Sequence, residues 1–290
     1  MAILNDNQMN VLSESALQGV YAQLVNLKDF AHTYSELEDR PGAAIIVPVY
    51  DLSAASDFNE DSNNYAMNAD TVGGEKLTLD NHIKSSMTVT DRELAETGIQ
   101  FLKDGAEAIG RTIGRGLNKA VFGQFTAANL PLSAELDEAA LSSYTYLNKV
   151  AADNNIDVGD SIVVLDPQAF SHLVEKLPAN VYGGPEAIRY GYVPGLAGFR
   201  SVVQSTFLPA GVAGAIVNRN VVGIASRYLA PMADAYPATW KAVDPDSGFV
   251  IGFRMFEDLA RGRRYISGEA LFGTKIFFSG KKCVRLVRGA

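Results

Sequence analysis

The chain has 290 residues, of which 47% are hydrophobic and 20% are charged, and its formal net charge is −8. This length can bury a large core in one or two domains, and the composition excludes an intrinsically disordered chain. The strongly acidic balance argues against a dedicated DNA-binding protein.

Cysteine usage and apolar runs exclude further classes. The single cysteine, Cys283, excludes an internal disulfide and a multi-cysteine metal site, and its surroundings suit a half-buried strand better than a reactive thiol. The longest apolar runs, such as Ala43 to Val47, are too short to span a bilayer. The first ten residues are polar and show no basic-then-apolar leader, so secretion is not expected.

Residues 1–40 are predicted to form a loosely attached arm. Apolar residues have helical spacing from Ser13 to Phe30, but they are too few to make a core unaided. The arm ends in an acidic stretch, Glu36 to Asp39. Ala43 to Tyr50 is rich in β-formers and is interrupted by Pro48, which predicts an edge strand.

Residues 51–90 are predicted to form a two-stranded projection that leaves the body and returns. Acidic and amide side chains crowd its first half up to a turn at Gly73-Gly74, and from Leu77 to Val89 apolar and polar residues alternate approximately. Such a ribbon is marginal alone, so it needs a surface to lie on, which another copy could supply. A calcium site in the acidic cluster is an alternative, but the ligand spacing of a calcium loop is missing.

The stretch from Asp91 to about Phe125 is predicted to be one long helix around which the chain is organised. Apolar or small residues recur along it in steps of three and four. Thr90 or Asp91 can cap its start, and Glu93 adds a favourable charge to the first turn. Six glycines lie inside it, so packing and not propensity must sustain the helix, and glycines also let other backbones come close.

The middle of the chain alternates helix and strand. A helix is predicted from about Ser133 to Asp153, and a short buried strand from Ser161 to Leu165. Asp166-Pro167 then begins a helix to Leu177, with aspartate as the cap and proline in the first turn. Residues 178–211 are rich in glycine and proline and predict a long irregular loop of the kind that is usually functional or contacts a partner.

The last third is predicted to be mainly β-structure with antiparallel strands at its end. A turn is expected at Asp244 to Gly248. The predicted strands are 199–203, 215–222, 223–228, 248–256, 263–266, 271–279 and 283–287.

No stretch of the sequence indicates a particular catalysed reaction. His32, His82 and His172 fall in different elements without a partner at metal-ligand spacing. Gly110 to Gly116 is glycine-rich, but it lacks the lysine-serine/threonine ending of a phosphate loop and lies within the helical pattern. No catalytic residue, cofactor or metal ligand is therefore predicted.

Charge is distributed unevenly along the chain. Residues 1–80 carry three basic and thirteen acidic side chains, a balance of −10, whereas residues 250–290 carry nine basic and three acidic ones, a balance of +6. Two solvated faces are the simplest explanation. A second explanation is that the acidic front of one copy meets the basic rear of another, and a third is a nucleic-acid patch.

The order of these parts resembles the major capsid proteins of tailed bacteriophages, which have the Hong Kong 97-type shell fold. The resemblance covers almost the whole chain and depends on order, because no single motif is specific. The stretches that carry it are the return strand Lys76 to Lys84, the helix that follows, Ile162 to Pro167, Gly195 to Val203 and Glu269 to Gly273.

The resemblance implies an α+β fold with five parts. These are an N-terminal arm and first strand (1–50), an extended β-hairpin called the E-loop (51–90), a peripheral domain with a spine helix (91–132), a mixed α/β axial domain (133–240), and return strands of the peripheral domain (241–290). In this family the E-loop lies on a neighbouring subunit.

The function implied is a self-assembling subunit of an icosahedral phage head around double-stranded DNA, which it contacts non-specifically. It would form hexamers and pentamers with itself, in a virion capsid assembled in the host cytoplasm. Separate scaffolding and portal proteins, and decoration proteins in some heads, would be further partners, and no membrane is involved. Encapsulin nanocompartments share the fold and are one alternative; a soluble α+β enzyme or binding protein is the other.

The charge split adds a hypothesis about the contacts between copies. Acidic residues of the arm or of the projection would meet basic residues near the C-terminus of an adjacent copy. The candidate contact residues are Glu36, Glu38, Asp39, Asp57, Glu60, Asp61, Arg261, Arg263 and Arg264.

Overall fold

The computed structural model describes residues 6–24, 31–34, 44–51, 71–90, 92–93, 96, 99–137, 146–176, 192–219, 221–229, 238–244, 248–258, 260–277 and 282–288. The helices are α1 (Asp6–Leu24), α2 (Ile99–Phe122), α3 (Tyr146–Asp153) and α4 (Pro167–Lys176). The strands are β1 (Ala31–Thr33), β2 (Ala44–Asp51), β3 (Thr71–Thr78), β4 (Asn81–Thr90), β5 (Ser133–Leu136), β6 (Ser161–Leu165), β7 (Tyr192–Pro194), β8 (Ser201–Gln204), β9 (Val212–Asn218), β10 (Val222–Arg227), β11 (Ala238–Val243), β12 (Val250–Asp258), β13 (Arg263–Ile276) and β14 (Cys283–Arg288).

The predicted long helix is present at Ile99–Phe122, and a helix start is capped at Thr90 as expected; residues 94, 95, 97 and 98 between them lie outside the described part. Residues 92, 93 and 96 are helical ahead of α2. The backbone N–H of Thr90 donates to the Glu93 carboxylate at 2.9 Å, the Thr90 hydroxyl donates to it at 2.8 Å, and the Glu93 N–H donates to that hydroxyl at 3.2 Å. This reciprocal arrangement is a capping box, which satisfies backbone donors that the first helical turn leaves open.

The glycines of α2 allow close approach of neighbouring elements. A Cβ on Gly110 would lie 1.9 Å from the carbonyl oxygen of Ala16, and one on Gly19 would lie 2.2 Å from that of Glu107, so α1 and α2 touch backbone to backbone. On another face of α2, a Cβ on Gly105 would lie 2.1 Å from the sulfur of Met87 in β4. Each glycine weakens the isolated helix, and the contacts it permits compensate for that loss.

Helix α1 corrects the expectation of a loosely attached arm. It begins earlier than predicted and packs on α2 of its own chain, with Leu12, Ala16 and Val20 buried in the main core. Residues 31–33, which were not predicted as a strand, pair in parallel with β10. Both contacts join residues that are far from their partners in sequence, so local spacing could not predict them.

Six strands form sheet A, and β13 is its central strand. The order is β1-β10-β13-β12-β11, with β4 pairing along β13 as well. Residues 263–269 pair with β12 and with β4 at once, so these two strands lie on opposite edges of β13. Two strands were predicted here, 263–266 and 271–279, but the structure has the single strand β13. The first half of β13 pairs with β12 and the second half pairs with β10, along the same edge.

The predicted projection is divided between a hairpin and sheet A. Strand β2 pairs antiparallel with β3, from Ala44↔Thr78 to Asp51↔Thr71, whereas β4 belongs to sheet A. The predicted 51–90 ribbon was therefore placed too late in the chain, and residues 52–70 lie outside the described part. At the base of the hairpin, Leu77 and Leu79 pack with Ala225 and Phe277.

Sheet B is the second layer, in the order β5-β14-β9-β6-β8-β7. Every residue of β6 is buried, as predicted, because both faces of the strand are covered: Ile162 and Val164 join the core shared with α2 and sheet A, and Val163 and Leu165 join a second core with α3 and α4. The Ala169 N–H donates to the Asp166 carboxylate at 2.8 Å, which confirms the predicted cap of α4.

Two other elements of the structure differ from the prediction. The helix predicted over 133–153 is helical at Tyr146–Asp153 only, within the described residues, and Ser133–Leu136 is a strand that pairs in parallel with β14. Strand β11 was not predicted. It pairs with β12, and together with β10 it places a segment of the predicted axial range, 133–240, in sheet A.

We expect Gly110→Ala to destabilise the subunit by about 1–3 kcal/mol, because the added methyl would overlap the α1 backbone, and this cost exceeds the gain in helix propensity. Gly159→Ala is the control, since its Cβ would meet only the Asp157 carboxylate at 3.6 Å. Urea unfolding of the unassembled chain measures both. Equal stability of the two variants would show that α1 does not hold its place on α2.

Candidate subunit-contact surfaces

Among the predicted contact residues, the structure describes the basic ones. Glu36, Glu38, Asp39, Asp57, Glu60 and Asp61 lie outside the described residues. Arg261, Arg263 and Arg264 lie together at the turn between β12 and β13 and at the start of β13.

The three arginines differ in what they contact. Arg264 is half-buried, and its Nε lies 3.2 Å from the Glu257 carboxylate of the same chain. Arg261 is exposed, 3.8 Å from the Asp258 carboxylate. Arg263 is exposed, and its positive charge is one of the causes that lower the pKa of Glu93, after the hydrogen bonds from the Thr90 backbone and hydroxyl. Arg261 and Arg263 are thus both open to another molecule, whereas Arg264 binds within its own subunit.

Arg263 belongs to a solvent-exposed face of sheet A that we call the outer sheet face. Alternation along the strands places Ile83, Met87 and Gly268 toward α2, and places the residues between them on the opposite face. By this register the outer sheet face carries Lys84, Ser86, Thr88, Thr239, Lys241, Val243, Arg254, Phe256, Arg263 and Tyr265.

The described charges on this face are mainly basic. Lys84, Lys241 and Arg263 are exposed, one on each of three strands. The buried Glu269 carboxylate is in contact with the Arg254 guanidinium, and its other oxygen lies 3.3 Å from His82 Nε2. Asp258, opposite Arg263 in the β12–β13 register, lies 3.8 Å from Arg261. Because both carboxylates are engaged within the chain, the three exposed cations favour a partner that brings negative charge.

An aromatic pair lies within this basic face. Phe256 is 38% exposed and stacks on Tyr265 with ring centroids 4.7 Å apart and planes 11° apart. Sequence reasoning missed the pair, because the two residues are nine positions apart and only the β12–β13 register brings them together. Exposed aromatics beside cations are typical of protein–protein contact surfaces.

The hairpin offers a second surface. Its base is attached to sheet A by Lys275, whose Nζ lies 2.9 Å from the Glu75 carboxylate and donates to the Lys76 carbonyl at 3.1 Å. Within the described strands, β2 pairs with β3 alone, so its other edge presents unpaired backbone groups. Ile46 on β2 is 71% exposed. An open edge with an exposed apolar residue is suited to contact with another chain.

The described residues offer little for catalysis. No group of three or more histidine, cysteine, aspartate or glutamate side chains among them could hold a metal ion. Residues 110–116 lie in α2, so their backbone donors serve the helix and not a phosphate loop. None of the described helices is long and apolar enough to cross a membrane.

The predicted roles of the histidines and of the cysteine can also be compared with the structure. His32 packs edge-on against Tyr34, His82 lies beside Glu269, and His172 is exposed on α4. Cys283 is buried in β14, and burial raises the pKa of its thiol to about 12. The preference for a structural over a reactive cysteine is thereby supported.

Comparison with solved structures identifies the fold. The capsid of cyanophage P-SCSP1u matches with a TM-score of 0.57 at 15% identity, over 91% of this chain and 88% of that one. A virus-like particle from Pyrococcus furiosus matches at 0.54 and 12% identity, over 95% and 97%. The mature capsid of bacteriophage PhiM1 matches at 0.53 and 11% identity, over 90% and 86%.

No protein-family model matches the chain, and no curated protein sequence matches it. The likeness is therefore one of backbone fold and not of sequence. The chain has the α+β shell fold of phage capsids, as its sequence predicted, over nearly its full length.

We expect Cys283 to be unreactive toward a thiol reagent at pH 8 in the folded chain and to react fully in urea. Because the thiol pKa is raised in the folded state, the contribution of this thiol to folding stability should be constant below the unfolded pKa of about 8.5 and fall above it, by about 2.7 kcal/mol at pH 10.5. Urea titrations at both pH values, with Cys283→Ala as the reference, measure this difference. Rapid labelling of the folded chain would contradict the buried assignment.

Proposed function

We propose that this chain is the major capsid protein of a tailed bacteriophage, a self-assembling subunit of an icosahedral head that encloses double-stranded DNA. The observation that carries the proposal is the match to phage capsids over about nine-tenths of both chains. A likeness that included only one domain would support a shared module, whereas this one extends over about nine-tenths of the chain. The role is structural and not catalytic.

The proposed domain organisation follows the two sheets. The peripheral domain would comprise sheet A with α1 and the spine helix α2, and the axial domain would comprise sheet B with α3 and α4. The E-loop would be the β2–β3 hairpin together with residues 52–70. Strands β10 and β11, at the end of the predicted axial range 133–240, would then belong to the peripheral domain.

We place the main contact between copies at the outer sheet face. Acidic residues of a neighbour's arm (Glu36, Glu38 and Asp39) or E-loop tip (Asp57, Glu60 and Asp61) would meet Lys84, Lys241 and Arg263 there. Opposite charges would set the register and speed the encounter, and the Phe256–Tyr265 pair would supply apolar contact. The hairpin and its receptor would be different surfaces of the subunit, so the contact would be heterologous, and a rotation that closes would produce rings.

Rings of five and six would build the shell in the host cytoplasm, and the mature location would be the virion capsid. Separate scaffolding and portal proteins, and decoration proteins in some heads, would complete the particle. The packaged DNA would be held non-specifically by its phosphates.

Particle formation tests the proposal directly. Purified full-length chain should elute as rings or particles of megadalton size, and electron microscopy should show closed icosahedral shells. Shells recovered from infected cells should protect double-stranded DNA from nuclease. A stable monomer or small oligomer at high concentration would refute the shell function, and closed shells that never contain DNA would favour a nanocompartment.

Charge reversal at the outer sheet face tests the contact. Arg263→Glu should lower particle yield severalfold, because a like charge would then face the neighbour's carboxylates. The reversal also places a like charge near Glu93 and opposite Asp258 of the same chain, so circular dichroism and thermal unfolding check that the variant subunit still folds. Lys149→Glu, an equal change at an exposed position of α3, is the control. Arg264 is not a suitable target, because its reversal would also break the bond to Glu257. Unchanged yield of the Arg263 variant would exclude this face as the contact.

A further inference from the structure

The exposed side of α2 carries three cations in a row, which we call the basic row: Arg111, Arg115 and Lys119. All three are exposed and lie four residues apart, so they follow one another along one side of the helix. At about 1.5 Å per residue the row extends over about 12 Å. Nothing in the proposed contacts between copies uses it.

The basic row stands out in an acidic chain. No carboxylate occurs from residue 108 to residue 134, although the whole chain has a net charge of −8. Favourable interaction with the helix dipole accounts for Lys119, which lies in the last turn, but the effect fades within one turn and so does not account for Arg111 and Arg115. A solvated helix face would ordinarily mix the two signs, as the first half of this helix does with Lys103, Asp104 and Glu107.

The surroundings hold the row in place without hiding it. The Arg115 guanidinium lies over the Phe207 ring, 5.8 Å from its centroid, and Arg111 forms an exposed ion pair with Glu107 one turn earlier. The residues beside the row, Ala108 and Thr112, are small and exposed. A large, smooth polyanion could therefore approach along the helix without a steric obstacle.

The basic row and the outer sheet face lie on opposite sides of sheet A. Helix α2 packs on the opposite side of sheet A, through Ile109 and Ile113 against Gly268. If the outer sheet face receives neighbouring subunits, the helix side of the layer is left for a different partner. In a shell, that partner would be the material enclosed inside it.

We propose that the basic row binds the phosphates of double-stranded DNA packaged inside the shell, with α2 facing the interior; this inference rests on the proposed function. Duplex DNA carries one negative charge per about 1.7 Å of axis, so a 12 Å row faces roughly seven phosphate charges. Neutralising three of them releases about 0.9 counterion each, which gives a salt dependence of about −2.7 in log K against log[salt]. Such binding is independent of base sequence, as packaging of a whole genome requires.

Salt-dependent binding tests the row in the full-length, unassembled subunit. Fluorescence anisotropy with a labelled 20-base-pair duplex would be measured between 50 and 200 mM NaCl, for the wild type and for the triple variant Arg111→Gln/Arg115→Gln/Lys119→Gln. Glutamine keeps helix propensity, so the fold should persist, and thermal unfolding checks this. The triple variant should lose about 2.7 from the slope magnitude and bind at least tenfold more weakly at 50 mM salt.

A matched control removes the same charges elsewhere. Lys149→Gln/Arg200→Gln/Arg219→Gln neutralises one lysine and two arginines at exposed positions around sheet B. Its slope should remain within 0.5 of the wild-type slope. Equal losses in both triple variants would show that DNA responds only to net charge and would overturn the assignment of the row.

Assembly provides the readout that separates this inference from the proposed function. The Arg111/Arg115/Lys119 variant should form closed shells in wild-type yield, and shells produced in infected cells should release their DNA at lower temperature. Failure to assemble with unchanged DNA binding would mean that the row contacts an acidic segment of another copy, which would refute DNA binding. Absence of shells for the wild type would refute the shell function itself, whatever the duplex titration gives.

Discussion

The contact between α1 and α2 is the constraint on which the rest of the structure depends. Gly19 and Gly110 have no side chain that would separate the two helices. The Ala16 carbonyl of α1 therefore lies against Gly110, and the Glu107 carbonyl of α2 lies against Gly19. On its other side α2 packs on sheet A, where Ile109 and Ile113 lie against Gly268. Dispersion contacts at this density compensate for glycines that an isolated helix would not tolerate.

Because α2 is fixed in this way, the two sheets share one core. Alternate residues of β6 face α2 and sheet A on one side and α3 and α4 on the other, so the layers cannot shift independently. A rigid body of this kind is what a shell needs, since small errors of angle in one subunit accumulate around a closed particle. The surfaces that would contact other molecules lie at the margins: an open hairpin edge, an exposed sheet face and the exposed side of α2.

Charge divides the subunit's surfaces into functional classes. Carboxylates within the body are already bound, as Glu269 is by Arg254, Glu257 by Arg264 and Asp166 by Arg288. Two groups of exposed cations lie on opposite sides of sheet A, Lys84, Lys241 and Arg263 on the outer sheet face and the basic row on α2. One side fits the acidic segments of another copy and the other fits a polyanion, so a single net charge of −8 conceals two basic surfaces with different partners.

The sequence by itself determined the elements that local chemistry specifies. Thr90 and Glu93 marked a helix start ahead of α2, Asp166 and Pro167 marked the start of α4, and the apolar run of β6 marked a buried strand. The order of these parts was enough to predict the shell fold, because that order survives when residue identities do not.

Only the tertiary structure decided which segments are tethered and which surfaces are exposed. Helix α1 belongs to the body, β4 joins sheet A, and 133–136 forms a strand, because each binds a partner far away in the chain. Likewise, Arg263 is exposed whereas its neighbour Arg264 is bound to Glu257, since alternation along β13 points the two side chains to opposite faces. Long-range pairing sets both outcomes, and periodicity within one segment carries no information about it.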